Sequence, residues 1–236
     1  MNVKIMKHIQ SFCCRYRKLT KLQKNIFKKY FSFFSINYKK KNINFNNIFH
    51  NQKSIILDIG FGIDNNIIQN TINNPQYNFI GIEVYIPGII NCLKKILINN
   101  LNNLKLIYYD VFYIFKYMIP ANSIKLIQLY FPDPWPKLKH KKRRLLNLEF
   151  LKIIFFSLKK NGLLYVVTDC QDYNNNIMSS INKINRNNNK YYILFSQEYR
   201  KIYKNFNKII FKNSFLYKAQ RKNKIIYYLE YKKISF

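Results

Sequence analysis

Five apolar, β-rich runs divide the middle of the chain, and a carboxylate stands at or just past the end of each: Asp58, Glu83, Asp110, Asp133 and Asp169. The runs are Ser54–Ile59, Asn78–Glu83, Leu104–Tyr109, Ile124–Tyr130 and Leu163–Asp169. Helical spacing of apolar positions fills the gaps. It is clear over Pro87–Leu97, with the proline in the first turn, and over Val111–Met118. It recurs over Leu145–Leu158, which Lys159-Lys160-Asn161-Gly162 closes as a basic last turn with a glycine stop. A polar helix runs to about Ile184, and Tyr191–Phe195 and Ile225–Tyr231 supply the last strands. The basic, aromatic stretch Gln197–Ala219 has no clear period. This alternation predicts an α/β fold, a mostly parallel seven-stranded sheet with helices on both faces. The carboxyl ends of such strands form the ligand crevice, so the five acids gather along one edge.

Two of these runs carry a nucleotide-type signal. The first enters Gly60-Phe61-Gly62 and then a helix, a loop that lets a ligand approach backbone N–H groups closely. Asp64 stands where a third glycine is common. About twenty residues on, Glu83 ends the second strand, where a carboxylate reaches the two hydroxyls of a ribose. Asp110 suits the N-cap of the following helix.

The fourth run opens into Tyr-Phe-Pro-Asp-Pro-Trp-Pro-Lys, residues 130–137. Pro132, Pro134 and Pro136 each fix φ and bias the preceding residue to extended geometry. The expected result is a stiff loop that projects Asp133 and packs Trp135. From Lys137 to Arg144, six of eight residues are Lys or Arg, and His140 is a seventh potential cation. A rigid acid beside a basic tract places chemistry next to a polyanion.

Charge supports that partner less than its size suggests. The formal net charge is +31, from 41 Lys+Arg against 10 Asp+Glu. Asn, Lys, Ile, Tyr and Phe are abundant while Ala occurs only at 121 and 219, a skew that fills surfaces with Lys and Asn whatever the function. Arginine is more selective: four of the seven form the pairs Arg15/Arg17 and Arg143/Arg144, and guanidinium grips phosphate bidentately. Residues 1–52 read as a basic N-terminal arm and linker, and 53–236 as the α/β domain. Residues 20–34 suit either a segment ordered on a polyanion or a helix packed across the domain. Cys13, Cys14, Cys92 and Cys170 have no metal or C-x-x-C spacing and read as reduced thiols of a cytoplasmic protein. No apolar run approaches membrane length, so no membrane partner and no metal are expected.

Nicotinamide dehydrogenases share the strand–glycine–acid layout, but they need no basic tract fused to a Pro-Asp-Pro-Trp loop. With both halves read together, the chain resembles the bacterial tRNA (guanine-N7)-methyltransferase family. The resemblance rests on Leu-Asp-Ile-Gly-Phe-Gly, Phe-Ile-Gly-Ile-Glu-Val-Tyr-Ile-Pro-Gly, Phe-Pro-Asp-Pro-Trp-Pro-Lys, Lys-Lys-Arg-Arg-Leu and Val-Thr-Asp169. It is collinear over about residues 11–184. It implies a Rossmann-like class I methyltransferase that uses S-adenosylmethionine on the variable-loop guanosine of tRNA, as a monomer or weak homodimer. By motif match, Asp58, Glu83, Asp110 and Asp133 contact the cofactor, with Asp133 also catalytic. Lys137 and Asp169 contact the target nucleotide, and Lys139, His140, Lys141, Lys142, Arg143 and Arg144 contact the RNA. Asp58 replaces the usual Glu. Of the family's C-terminal Thr-x-Phe/Tyr-Glu motif only Phe215 is similar, and its Glu is absent. The alternative is a degenerate tRNA-binding module with little or no turnover.

The implied reaction suits these residues. Guanine N7 carries a lone pair and no proton, so no general base is required. Orientation of N7 toward the methyl group can supply roughly 7–11 kcal/mol. Asp133 can offset the positive charge that moves onto the purine.

Overall fold

The computed structural model describes residues 18–64, 66–187, 192–195 and 214–234. Arg15, Arg17, Cys13 and Cys14 lie outside the described residues, as does most of Gln197–Ala219. In chain order the helices are α1 (Lys21–Phe34), α2 (Phe45–Phe49), α3 (Asn66–Asn73), α4 (Ile86–Ile98), α5 (Val111–Tyr117), α6 (Leu148–Ser157), α7 (Gln171–Asn187) and α8 (Ser214–Arg221). The strands are β1 (Ile55–Ile59), β2 (Asn78–Glu83), β3 (Leu104–Tyr108), β4 (Ile124–Tyr130), β5 (Leu158–Thr168), β6 (Tyr192–Phe195) and β7 (Tyr227–Lys233).

They form the expected seven-stranded sheet, in the order β3-β2-β1-β4-β5-β7-β6. The first five strands are mutually parallel. β7 runs antiparallel to β5, and β6 antiparallel to β7. Every residue of β1 and β2 is buried, as strands covered on both faces must be. One face packs Ile56, Phe79, Leu104 and Leu106 against α3 and α4. The other packs Leu57, Ile82, Ile127 and Val166 against α5, α6 and α7. Strand order reverses between β1 and β4, so the crevice opens at their carboxyl ends.

α1 closes the outer edge of the sheet. Thr20 and Gln23 form a capping box, each side chain accepting from the other's backbone N–H. Ile26, Phe27 and Phe31 pack against the α4 side of the core, and Ile36 N donates to Leu106 O at 2.8 Å. The stretch 39–51, expected as linker, is instead part of the fold. Ile43 and Phe49 enter the core at 8% exposure each, and Asn44 caps α2 through Asn47 N. Ile43, Phe45, Ile48 and Phe49, scattered through an Asn-rich run, carry too short a periodic signal to predict this.

Lys159-Lys160-Asn161-Gly162 is likewise no helix end. β5 starts at Leu158, directly after α6. Asn161 adopts φ +60°, and the β4–β5 register shifts between Ile124 and Leu126. The four residues lie between the paired positions Leu158 and Leu163 and interrupt the β4–β5 ladder, with Asn161 in the left-handed region.

Candidate active site

The glycine loop after β1 is built for close approach. Gly60 and Gly62 have φ +70° and +61°, and a Cβ on either would meet nothing within 4 Å. The space beside the loop is therefore open. Behind it the packing is tight: a Cβ on Gly88 of α4 would lie 2.4 Å from Gly62 O. Helix α4 thus braces the loop from behind.

Glu83 fastens the same loop from β2. Its Oε2 accepts from Gly62 N at 2.7 Å, and its Oε1 accepts from Val84 N and Tyr85 N at 2.7 and 2.9 Å. Three of the four acceptor positions of a carboxylate are filled, and one on Oε2 remains for a ligand hydroxyl. Burial raises the pKa of Glu83. The three backbone donors pull it back, and the Asp133 carboxylate pushes it up again.

Asp58 lies on β1 beneath the loop, 2% exposed, and its Oδ1 has no hydrogen-bond partner. Burial, then repulsion from Glu83, pushes its pKa up to about 7. Glu83 therefore stands between two like charges, repelling Asp58 on β1 and repelled by Asp133 beyond β4. An orphaned buried carboxylate oxygen, like-charge strain and an open glycine cradle fit a cationic ligand with hydroxyls. A sulfonium nucleoside is such a ligand.

Asp110, two residues past β3, caps α5, its Oδ1 accepting from Phe112 N at 2.9 Å. Asp169, just past β5, accepts from Lys224 Nζ at 2.6 Å. That lysine, beyond α8, was not singled out from sequence.

The proline loop is stiff, but not in the expected way. Phe131 and Trp135 both precede proline yet adopt φ +50° and +41° rather than extended geometry. The loop turns too sharply for extended residues, and the Pro Cδ disfavours right-handed helical geometry at both. Phe131 N is pinned to Val167 O at 2.8 Å. Trp135 is buried at 7% exposure, as a packing residue. The His140 ring meets it edge-on at 5.7 Å, and the Arg143 guanidinium lies over it at 5.1 Å. Asp133 is held half-buried between these anchors.

The basic tract divides in two. Lys137, Lys139, Lys142 and Arg143 are exposed around a short 3₁₀ helix, Leu138–Arg143. Desolvation and then the cations Arg143, Lys139 and Lys137 lower the pKa of His140, so it adds little charge at neutral pH. Lys141 is turned to Asp172 at 2.8 Å. Arg144, expected against RNA, lies in the interior at 2% exposure.

The fold and this edge define a Rossmann-like methyltransferase domain. Residues 52–224 match a family described as putative methyltransferase. A tRNA (guanine-N(7)-)-methyltransferase from Buchnera aphidicola subsp. Baizongia pistaciae is 42% identical over 184 residues, 78% of this chain and 76% of that protein. One from Yersinia enterocolitica is 36% identical over 172 residues, 73% and 72% of the two chains. Among solved structures, the 30S ribosomal A1408 methyltransferase from an uncultured bacterium shares the fold at TM-score 0.51 and 22% identity, covering 82% of this chain and 96% of that one. The chain belongs to the tRNA (guanine-N7)-methyltransferase family.

Proposed function

We propose that the protein transfers a methyl group from S-adenosylmethionine to N7 of the variable-loop guanosine of tRNA. The observation that carries this reading is the convergence of Asp58, Glu83 and Asp133 beside an open glycine loop, in a chain 42% identical to such an enzyme. The cofactor would supply an electrophilic methyl on a sulfonium. Glu83 would accept a ribose hydroxyl through Oε2, Asp110 would meet the adenine end, and Asp58 would sit beneath the loop as counter-charge. Asp133 holds the target purine and offsets its gained charge. Lys137 and Asp169 flank the target nucleotide.

RNA affinity comes mainly from phosphate contacts, which position without reading sequence. Lys139, Lys142 and Arg143 supply them here, joined by Arg15 and Arg17 of the basic arm ahead of residue 52. No described helix is long and apolar enough to cross a membrane.

The test is mass mapping of N7-methylguanosine in unmodified tRNA incubated with the protein and S-adenosylmethionine. A single methyl group in the variable loop is the expected result. Binding of tRNA with no methylation would refute the enzyme reading and leave a tRNA-binding module.

A further inference from the structure

Arg144 closes the basic tract, but its surroundings do not suit a phosphate. Its Nε donates to Pro134 O at 2.8 Å. Its Nη2 donates to Oδ2 of Asp172 in the first turn of α7. The guanidinium lies 4.8 Å over the ring of Tyr173, which is fully buried and whose hydroxyl accepts from Leu146 N at 2.9 Å. Nη1 is buried as well, without an acceptor. A solvated phosphate cannot reach a cation enclosed in this way. The neighbouring Arg143, by contrast, is exposed.

The Pro134 carbonyl belongs to the residue directly after Asp133. α7 begins two residues after Asp169. We infer that Arg144 is the positioning residue of Asp133: it clamps the proline loop to the start of α7 and so sets Asp133 relative to Asp169. The forked guanidinium is required because one group must serve a carbonyl and a carboxylate in different directions while lying flat on a ring. Lysine carries the charge without that geometry. Lys141 shares Asp172 from its other oxygen, which holds the carboxylate in place for Arg144. This role in catalysis rests on the proposed methyl transfer, whereas the clamp itself does not.

The experiment compares R144K and D172N with the parent, as full-length protein, in three measurements. Single-turnover methylation is followed at saturating tRNA. tRNA affinity is measured across salt. Acrylamide quenching of Trp135, the chain's sole tryptophan, is measured without RNA. R144K is expected to lower the single-turnover rate at least tenfold and to open Trp135 to quencher, with the log–log salt slope unchanged. D172N removes only an exposed partner, 54% accessible, and is expected to act in the same direction by about threefold or more. It serves if R144K does not fold.

Because lysine keeps the charge, R144M supplies the salt test: a log–log slope reduced by about 0.7–0.9 with the rate retained would make Arg144 a phosphate contact and overturn the inference. Parent-like rate and quenching in a folded D172N would overturn it too. If the parent itself does not methylate tRNA, the functional reading fails, and the quenching comparison still decides whether the clamp exists.

Discussion

Asp64 Oδ2 accepts from both the backbone N and the Oγ of Ser214, at 3.3 and 3.2 Å, across 150 positions of sequence. A carboxylate in the glycine loop thereby caps the first residue of α8 and ties that helix to the cofactor edge. α8 is otherwise held by Leu216 and Ala219 against Val167 and Ile226. Its exposed Phe215 stacks on Phe131 of the proline loop, with centroids 5.9 Å apart. Glycine in place of Asp64 would give the loop more freedom and release α8. We expect D64G to cost about 1 kcal/mol of stability, the scale of a cap, and to raise amide exchange selectively in α8. Unchanged α8 protection would refute the tie.

Glu83 serves the loop before it serves any ligand. In E83Q one oxygen becomes an NH₂ that must face backbone donors, since all three partners are N–H groups. Losing a charge-assisted acceptor is worth roughly 1.5–3 kcal/mol. S-adenosylmethionine affinity by calorimetry is therefore expected to fall at least tenfold, with tRNA affinity little changed. Parent-like cofactor affinity would remove Glu83 from the cofactor site.

Asp58 links the site to pH. Its folded pKa of about 7 lies above the ordinary carboxyl value of 3.8, so the native carboxyl holds a proton that the unfolded chain has lost. The resulting stability is full below about pH 4 and is lost as pH rises through about 7. The linkage amounts to about 4 kcal/mol. A bound cation favours the ionised form, so cofactor binding near pH 6 is expected to release a proton. Calorimetry in buffers of different ionisation enthalpy measures this release, and D58N should abolish it. The same release in D58N would assign the proton elsewhere.

Arg143 is the exposed arginine of the tract, and R143A tests its phosphate role. We expect weaker tRNA binding and a log–log salt slope smaller by about 0.7–0.9. Lost affinity at an unaltered slope would instead assign Arg143 to support of Trp135, over which it lies.

What the sequence revealed follows the range of the forces involved. β2 and β4 have the bounds read from their apolar runs, Asn78–Glu83 and Ile124–Tyr130, because β-branched runs between polar breaks specify buried strands locally. Asp110 was readable as a cap for the same reason. Ile43 and Phe49 were not legible, since only the finished core shows why they are apolar. The enclosure of Arg144 depends on Asp172 and Tyr173, about 28 residues away. In sequence it is one more cation of a basic run. Asp64 read only as a missing glycine until Ser214 was placed beside it. Tertiary partners, not local preference, decided each of these.

Asp133 is where an enzyme and a binding module differ most. Its loop is fixed by the left-handed Phe131 and Trp135, by the Phe131–Val167 hydrogen bond and by Arg144 on Pro134 O. D133N keeps the side-chain shape and one acceptor oxygen but removes the charge. If the carboxylate holds the purine and offsets its developing positive charge, the loss resembles removal of one preorganised oxyanion-hole donor, roughly 2.7–4 kcal/mol. The single-turnover rate at saturating tRNA is then expected to fall about a hundredfold or more. tRNA affinity should stay near the parent value if, as proposed, Lys139, Lys142 and Arg143 contact phosphate, which carries no base information. A turn-forming role makes a different prediction: loss of the side chain loosens the loop, and melting temperature, cofactor affinity and tRNA affinity fall together. A thermal melt run beside the rate measurement separates the two. A parent-like melt with a hundredfold slower rate places Asp133 at the reacting base, and near-parent turnover in D133N removes it from catalysis.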